Sequence, residues 1–476
     1  MEIQFSKGTV ILSICFICVS YLFYTYSEDQ DLPDERYVID SWTKLVNLPP
    51  NQFKRLAVGI NSNIDVIVSG TELLNTLHIS PAKRKDHATI NNIGQLQEAF
   101  AYFFAKGGAA ERPFTDKAEY QRIIQAAETL GHVEHYIGGN AGLMAYTASN
   151  LFPDLKILFA GPVGPLLESL MPKTLEIPSS CKIARDEVHL IMEYKVGEKW
   201  GDAEASVATR FIATYDESNS KSLMLEPFFE SLKAFKPDLI LLSGLNILDG
   251  QTPEFFQQRL EKLITLSKEV PSTTPIHLEL ASMANKNFVK EIVEKVVPNV
   301  DSLGLNEQEL VFSSKALNGP HSDHLDGDSG QPDIHKISDI MLWMLKSYGR
   351  SPKSPTARLT RVHFHSLTFH IVAVAEGTWS NVDEAAAAGA QVAGLQACDV
   401  AQLQSDIVEL KIPRKFHLYS GDVERELDPR SPVMQWQKDG YMFVFSPVLV
   451  CKRPVKTVGL GDAISATGLV YSQFSK

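Results

Sequence analysis

Residues 457–465, with the sequence TVGLGDAIS, place one carboxylate directly after two glycines, at the start of an apolar segment. The apolar run 441–450 predicts a strand, and the residues after the glycines keep helical spacing, so we predict a glycine-rich turn between strand and helix. Gly459 and Gly461 would let the backbone approach a phosphate, and the first-turn N–H groups would bind it. Asp462 would repel a phosphate but is suited to take a proton from an attacking hydroxyl. The motif predicts phosphoryl transfer; the alternative is an ordinary glycine turn with an aspartate N-cap.

A second group of carboxylates precedes this turn in the chain. Asn306 and Glu309 form an N-x-x-E motif after a short apolar run, and Glu279 ends the apolar run before it. Neighbouring parallel strands bring their carboxyl ends close together, so the two glutamates would hold a hydrated Mg²⁺, which prefers oxygen ligands. The alternative is a capping asparagine with solvated glutamates.

The body of the chain alternates short apolar runs with helical segments, which predicts an α/β fold. Because the runs are continuously apolar, the strands should be covered on both faces, as in a mostly parallel sheet flanked by helices. Ligands then bind at the carboxyl ends of the strands. The clearest runs are 155–161, 237–244 and 276–280, and the clearest helical segment is 252–270.

Two segments interrupt that alternation with more charged and less regular sequence. We interpret residues 66–130 and 184–230 as a smaller α+β lid domain inserted into the large α/β domain. Residues 318–333, rich in Gly, Pro, Asp and His, are typical of a flexible surface loop. His363 and His365 alternate on a predicted strand and would face the same way, but without a third ligand a zinc site is disfavoured.

The N-terminus has the pattern of a targeting segment. Residues 9–26 are mostly apolar and uncharged, with Lys7 before them and acidic residues 28–31 after them. This pattern predicts a signal or membrane anchor over residues 1–32, with the catalytic body of residues 33–476 in the lumen of the endoplasmic reticulum or elsewhere in the secretory pathway. A buried core helix is the alternative.

Composition narrows the class of ligand. The chain has 476 residues, 44% of them hydrophobic, and a formal net charge of −12. That size supports a large folded core, and the negative charge argues against broad nucleic-acid binding. Small anionic ligands stay compatible with it, because a local Mg²⁺ and a few cations suffice to bind them.

Five cysteines are present, and two of them lie inside the apolar N-terminal run. The other three are Cys181, Cys398 and Cys451, and an oxidising lumen would favour a bridge between two of them. We predict Cys398–Cys451, because both lie in the C-terminal half whereas Cys181 lies at the edge of the predicted lid. Two buried, unreacted thiols are the alternative.

In combination, these motifs resemble the ADP-dependent glucokinases of the ribokinase-like superfamily, over roughly residues 33–476. Their order and spacing together are specific, although each is weak alone, and the N-terminal apolar segment resembles the eukaryotic branch of that family. The motifs that carry the resemblance are GINSNID (59–65), GGNAG (138–142), HLELAS (277–282), the N-x-x-E at 306–309 and GLGD (459–462).

The resemblance implies transfer of the β-phosphoryl of ADP to the 6-hydroxyl of glucose, giving glucose 6-phosphate and AMP. Asp462 would be the base, with the backbone from Gly459 onward neutralising the transferred group. Arg210 would bridge the phosphates from the lid, for which its fixed guanidinium is suited. Glu279, Glu309 and Asp462 would form the Mg²⁺ site, steadied by Asn306. Asn63 and Asp65 would lie at the end of the first strand, where short polar side chains reach sugar hydroxyls. The other implied sugar contacts are Glu111, Gly139, Asn140 and His189.

Rival functions share parts of this pattern. An ADP-dependent phosphofructokinase or an ATP-dependent sugar kinase would have the same fold and the same Asp462. A phosphorylated sugar would require basic residues near the acceptor, whereas positions 65, 111 and 140 are acidic or neutral. A membrane-tethered pseudoenzyme scaffold is a further alternative, which the intact Asp462 and Arg210 argue against. We expect a monomer that touches the membrane only through its N-terminal segment.

Overall fold

The fold is described from a computed structural model, which covers residues 32–46, 52–81, 83–322, 333–455 and 459–475. The apolar run 9–26, part of the loop 318–333, and Thr457 and Val458 of the glycine-rich motif lie outside these residues. In the part of the chain that is described, no helix is both long and apolar enough to cross a membrane.

A large mixed sheet forms the centre of the molecule. Seven neighbouring strands run parallel, and the other three, at one edge of the sheet, pair antiparallel. The predicted mostly parallel α/β architecture is therefore confirmed. In spatial order the strands are Met434–Lys438, Tyr441–Pro447, Phe369–Ala375, Arg361–His365, Ser302–Leu305, Ile276–Glu279, Leu239–Leu242, Arg55–Gly59, Lys156–Ala160 and Leu175–Glu176.

Helices cover both faces of this sheet, as continuously apolar strands require. Along Arg55–Gly59, Ala57 belongs to a core with Phe228 on one face, whereas Leu56 and Val58 belong to a core with Met144 on the other. The helices of the described chain are Asp34–Leu45, Gly70–Thr76, Ile93–Lys106, Lys117–Ala127, Asn140–Leu151, Pro165–Leu170, Leu225–Phe235, Pro253–Glu269, Lys286–Glu291, Glu307–Leu317, Ile334–Tyr348, Val382–Cys398 and Leu460–Tyr471.

A second, five-stranded sheet forms the lid. Phe100, Phe104 and Phe211 are fully buried behind it, in an apolar core that continues into the core on one face of the large sheet. Its strands, in spatial order, are Ala110–Pro113, Thr209–Tyr215, Val188–Tyr194, Asn63–Ser69 and Glu134–Gly138.

The strand positions revise two details of the sequence interpretation. Asn63 and Asp65 were expected at the end of the first strand, but that strand ends at Gly59 and both residues belong to the lid strand Asn63–Ser69. The lid strands also begin before residue 66 and include Glu134–Gly138. The helix Leu225–Phe235, which begins inside the expected segment 184–230, packs against the large sheet. Charge and irregularity marked the lid loops and its outer strands, whereas its central strands Asn63–Ser69 and Val188–Tyr194 are largely buried.

Cys398 and Cys451 lie at disulfide distance, with Cα atoms 5.5 Å apart and sulfur atoms 2.02 Å apart. Cys398 ends the helix Val382–Cys398, and Cys451 ends the short strand Leu449–Cys451 that leads toward the glycine-rich turn. Cys181 is buried and free. The positions agree with the predicted pairing.

We expect the Cys398–Cys451 bridge to stabilise the fold by about 2–4 kcal/mol, because it closes a long loop in the unfolded chain. In urea unfolding, reductant should lower the midpoint of the wild-type protein, while the double variant C398A/C451A should unfold at the same midpoint with or without reductant. Recovery of both cysteines as alkylatable thiols from protein made in the secretory pathway would rule the bridge out.

Candidate active site

The candidate active site lies at the carboxyl edge of the large sheet, around the N-terminus of the helix Leu460–Tyr471, here called the catalytic helix. Gly459 caps this helix with φ 72°, in the left-handed region that favours glycine. A Cβ there would also lie 3.0 Å from Leu143 Cδ1. Asp462 follows in the first turn, where it is buried. The predicted turn and helix therefore place the carboxylate as expected.

A second helix starts at the same place. Gly139, with φ 75°, precedes the helix Asn140–Leu151. Asn140 Nδ2 donates to Asp462 Oδ1 at 3.0 Å, so the first turns of the two helices meet at this carboxylate. Both helices present the positive end of a dipole here, which favours a bound anion. The N–H groups of Ala141 and Gly142 already donate to Asn61, so the first-turn donors available to an anion are those of the catalytic helix.

Glu309 and Asn306 form a reciprocal capping box at the start of the helix Glu307–Leu317. Asn306 Oδ1 accepts from the Glu309 N–H at 3.0 Å. The Glu309 carboxylate accepts from the Asn306 backbone N–H at 2.8 Å and from its Nδ2 at 2.9 Å. The capping alternative considered for Asn306 is thus present, and it also fixes the orientation of the buried Glu309 carboxylate.

Glu279 is held by three side-chain donors. Its Oε1 lies 2.8 Å from His365 Nε2, and its Oε2 lies 3.1 Å from His277 Nε2 and 2.5 Å from Ser465 Oγ. Ser465 belongs to the catalytic helix, so this carboxylate links the sheet to that helix. Gly304 makes room for it, since a Cβ there would lie 1.8 Å from Glu279 Oε2.

The three carboxylates have different protonation tendencies. Burial raises the pKa of Asp462 and of Glu309 to about 7, with Glu279 adding to the shift in each case. Burial also acts to raise the pKa of Glu279, but His365 and His277 outweigh it and lower that pKa to about 2. Glu279 is therefore ionised, and although burial acts to lower the pKa of the neighbouring His365, the charge of Glu279 in turn raises that pKa.

The donor chemistry fits a divalent cation. Mg²⁺ prefers oxygen ligands and binds through one or two carboxylates with several waters. Glu279 raises the pKa of both Asp462 and Glu309, so the three carboxylates are near enough to act on one another electrostatically. In the described ranges, no group of three or more His, Cys, Asp or Glu side chains is arranged so that it could hold a metal ion by itself, so Mg²⁺ would bind here through one or two carboxylates and waters. His363 and His365, considered as a zinc pair, have separate surroundings: His365 binds Glu279, whereas His363 is buried beside Gly468.

Four of the residues expected to bind sugar lie on lid strands, namely Asn63, Asp65, Glu111 and His189, whereas Gly139 and Asn140 lie beside Asp462. Asn63 Nδ2 donates to the buried Asp65 Oδ1 at 2.7 Å, and Asp65 is in register with His189 on the neighbouring strand. His189 Nε2 lies 2.8 Å from Asp216 Oδ2. Burial alone would lower the pKa of His189, but Asp216 raises it to about 10, so the imidazole is charged. This cluster offers both hydrogen-bond donors and acceptors to a polyol.

Arg210 and Glu111 border the same cluster. Arg210 lies on the lid strand Thr209–Tyr215, and its charge acts on the Asp65 carboxyl. Glu111 is more exposed, on the adjacent strand Ala110–Pro113, and its charge reaches both Asp65 and His189. The structure therefore gathers the predicted lid residues into one region.

Several residues of the site were not predicted from the sequence. Asp216 and His365 bind His189 and Glu279, yet neither lies in one of the recognised motifs. His277 lies two residues before Glu279, on the same face of one strand. Ser465 lies three residues after Asp462, on the same helix. Each spacing offered a weak signal. Arg361 offered none, because an arginine in a predicted strand is ordinarily assigned to a surface.

Comparison with known proteins agrees with this geometry. A family profile described as "ADP-specific Phosphofructokinase/Glucokinase conserved region" matches residues 54–471. The chain belongs to this family. An "ADP-dependent glucokinase" of Bos taurus is 46% identical over 91% of this chain and 87% of its own length. A "Probable ADP-dependent glucokinase" of Caenorhabditis elegans is 37% identical over 97% of this chain and 94% of its own length.

Solved structures related to the ADP-specific kinase family share the fold. An "ADP-dependent kinase complex with fructose-6-phosphate and ADPbetaS" matches with a TM-score of 0.64 and 20% identity, over 93% of this chain and 98% of its own. A hypothetical ADP-dependent phosphofructokinase from Pyrococcus horikoshii OT3 matches with a TM-score of 0.65 and 18% identity, over 89% and 98%. At these identities the likeness concerns the fold alone.

Proposed function

We propose that the protein is an ADP-dependent glucokinase, which transfers the β-phosphoryl of ADP to the 6-hydroxyl of glucose and releases AMP. The observation that carries the proposal is the placement of Asp462. It is a buried carboxylate at two converging helix N-termini, opposite the polar cluster of the lid. Relatives named as ADP-dependent glucokinases, which match nearly the whole chain, support the choice of donor and acceptor.

Residues of the large domain and of the lid both take part in the proposed reaction. Asp462 accepts the proton of the glucose 6-hydroxyl as that oxygen attacks the β-phosphorus. Asn140 Nδ2 holds the Asp462 carboxylate in place through its 3.0 Å hydrogen bond. Backbone N–H groups from Gly459 to Asp462 stabilise the charge on the transferred group. Arg210 approaches the phosphates from the lid, where its fork of donors matches phosphoryl oxygens.

Glu279 and Glu309, with Asp462 beside them, would hold Mg²⁺ through water or directly. When bound, Mg²⁺ would neutralise phosphate charge. The protein's own contribution is a fixed pair of carboxylates, because Glu279 is held by three donors and Glu309 by its capping box.

Glucose is favoured over a sugar phosphate by the charge of the lid cluster. Asp65, Glu111 and Asp216 are carboxylates, and the charged His189 is already paired with Asp216. A sugar phosphate would bring a dianion toward this group, at a cost that an uncharged sugar avoids. The solved family member with bound fructose 6-phosphate makes phosphofructokinase activity the second candidate.

A panel of four substrate pairs tests the proposal. The full chain with Mg²⁺ is offered ADP or ATP as donor and glucose or fructose 6-phosphate as acceptor, and sugar phosphate and nucleotide products are quantified. We expect product with ADP and glucose. Product only with ATP would contradict the choice of donor, and product only with fructose 6-phosphate would replace glucokinase by phosphofructokinase.

We expect the lid to close when both substrates are bound. Arg210 and the sugar cluster lie on the lid sheet, whereas Asp462 lies on the large domain, so reaction requires the two to approach. Small-angle scattering should show a smaller radius of gyration with glucose and a non-reactive ADP analogue together than with either alone. An unchanged radius with both ligands would count against closure.

The compartment and assembly state are proposed on sequence grounds. The apolar run 9–26 is proposed to direct the protein to the secretory pathway, with the catalytic body in the lumen and membrane contact confined to that run. The positions of Cys398 and Cys451 are compatible with an oxidising lumen. We propose a monomer. Protease protection of the body in intact microsomes, and its loss on adding detergent, tests the topology.

A further inference from the structure

A chain of buried hydrogen bonds runs beneath the catalytic helix, across three neighbouring strands of the large sheet. Arg361 Nη1 donates to Ser302 Oγ at 2.9 Å, and Ser302 Oγ lies 2.8 Å from His277 Nδ1. His277 Nε2 then lies 3.1 Å from Glu279 Oε2. Arg361, Ser302 and His277 have no exposed surface. Of these four residues, only Glu279 is a proposed metal ligand.

The donors and acceptors in this chain can be arranged in one direction. A guanidinium only donates and an ionised carboxylate only accepts, so His277 must carry a proton on Nε2. Its Nδ1 is then free to accept from the Ser302 hydroxyl, which itself accepts from Arg361. Arg361 thereby favours one tautomer of His277.

Packing alone gives no reason for a guanidinium at position 361. Arg361 Nε and Nη2 have no hydrogen-bond partner in the described part of the chain. The guanidinium lies 5.6 Å from the centre of the Trp379 ring, and its nearest buried negative charge is Glu279, reached through Ser302 and His277. Burying an incompletely paired charge is costly, and an apolar side chain of similar volume is often better tolerated.

We propose that Arg361 is a positioning residue for metal binding: acting through Ser302 and His277, it holds Glu279 Oε2 in one orientation. The inference rests on the proposed Mg²⁺ site and adds to it a buried relay of Arg361, Ser302 and His277. The remaining donors, His365 and Ser465, reach the carboxylate from the next strand and from the catalytic helix. Loss of the relay should leave Glu279 held by two donors whose geometry is fixed instead of three, so its orientation should be less well defined and metal affinity should fall.

Binding of Mn²⁺ to the full chain, measured by electron paramagnetic resonance without substrates, tests the relay. The variants are S302A, which removes the hydroxyl, and R361M, which removes the guanidinium with little change in volume. The control is S267A, because Ser267 is equally buried and its hydroxyl has no partner among the described residues. We expect the Kd for Mn²⁺ to rise about tenfold or more in S302A and R361M, as for other residues that orient metal ligands, and to be unchanged in S267A.

A merely structural Arg361 would give a different result. R361M would then change the melting temperature and leave the Kd for Mn²⁺ within about twofold of wild type, which overturns the proposal. A raised Kd for Mn²⁺ in S302A but not in R361M would overturn the part assigned to Arg361.

A second measurement does not depend on the metal. Nitrogen NMR of the protein labelled in histidine should show His277 protonated at Nε2 alone, and R361M should show a mixture of tautomers. A protonated Nδ1 in the wild type would overturn the relay. Absence of Mn²⁺ binding by the wild type would refute the metal site itself, while the tautomer still decides the relay.

Discussion

The variant D462N should lose on the order of 10²–10⁴-fold in kcat while still binding ADP. The substitution preserves size but removes the basic oxygen that takes the proton of the attacking hydroxyl, and a positioned general base typically contributes that much. The introduced amide would keep an oxygen to accept the 3.0 Å hydrogen bond from Asn140, so the turn should hold its geometry. Steady-state kinetics and calorimetric titration with ADP measure the two effects separately.

A matched control is available in another helix. Asp383 also lies in the first turn of its helix, Val382–Cys398, and accepts from Gln435 Nε2, away from the cleft. D383N should keep wild-type turnover. Near-wild-type turnover in D462N would leave the glycine-rich turn with only its structural role.

The variant R210M should lose on the order of 10³-fold in kcat/KM, the lower end of what arginines that contact a transferring phosphoryl group contribute. The variant R210K should lie between R210M and wild type, because lysine keeps the charge but not the planar fork of donors. The lid strand Thr209–Tyr215 should stay folded in both variants, since its core is formed by buried side chains such as Phe211.

The neighbouring lid strand supplies the control for Arg210. Arg112 Nη2 contacts Asp86 Oδ2 at 3.0 Å, and its guanidinium lies over the Phe103 ring. R112M removes a lid arginine from that ion pair and should leave kcat/KM within about threefold of wild type, as expected for a partly exposed pair. Equal losses in R112M and R210M would indicate a general effect on the lid and would contradict a specific phosphate contact by Arg210.

The sequence predicted those parts of the site that depend on local spacing. The turn at Gly459 and Gly461 needs only the residues around it, and the capping box from Asn306 to Glu309 spans four residues. Such features are set by short-range backbone geometry. The α/β architecture followed from the period and length of the apolar runs, which report burial on both faces of a strand.

Contacts between distant strands could not be obtained in this way. The pairing of His365 with Glu279, and of Arg361 with Ser302, depends on the register of three parallel strands, which a single sequence does not specify. The assignment of Asn63 and Asp65 to the first strand was wrong because the apolar spacing continues from the large sheet into the lid. Asp216 was missed because its partner His189 lies on another strand.

The most direct test of the account is to follow the β-phosphoryl itself. The full chain is incubated with glucose, Mg²⁺ and ADP radiolabelled in the β-phosphate, and the products are separated. The account predicts that the label appears in glucose 6-phosphate and that AMP is formed in equal amount. The variant D462N should transfer little of the label. Label found only in inorganic phosphate, or retained in ADP with no glucose 6-phosphate formed, would contradict the account.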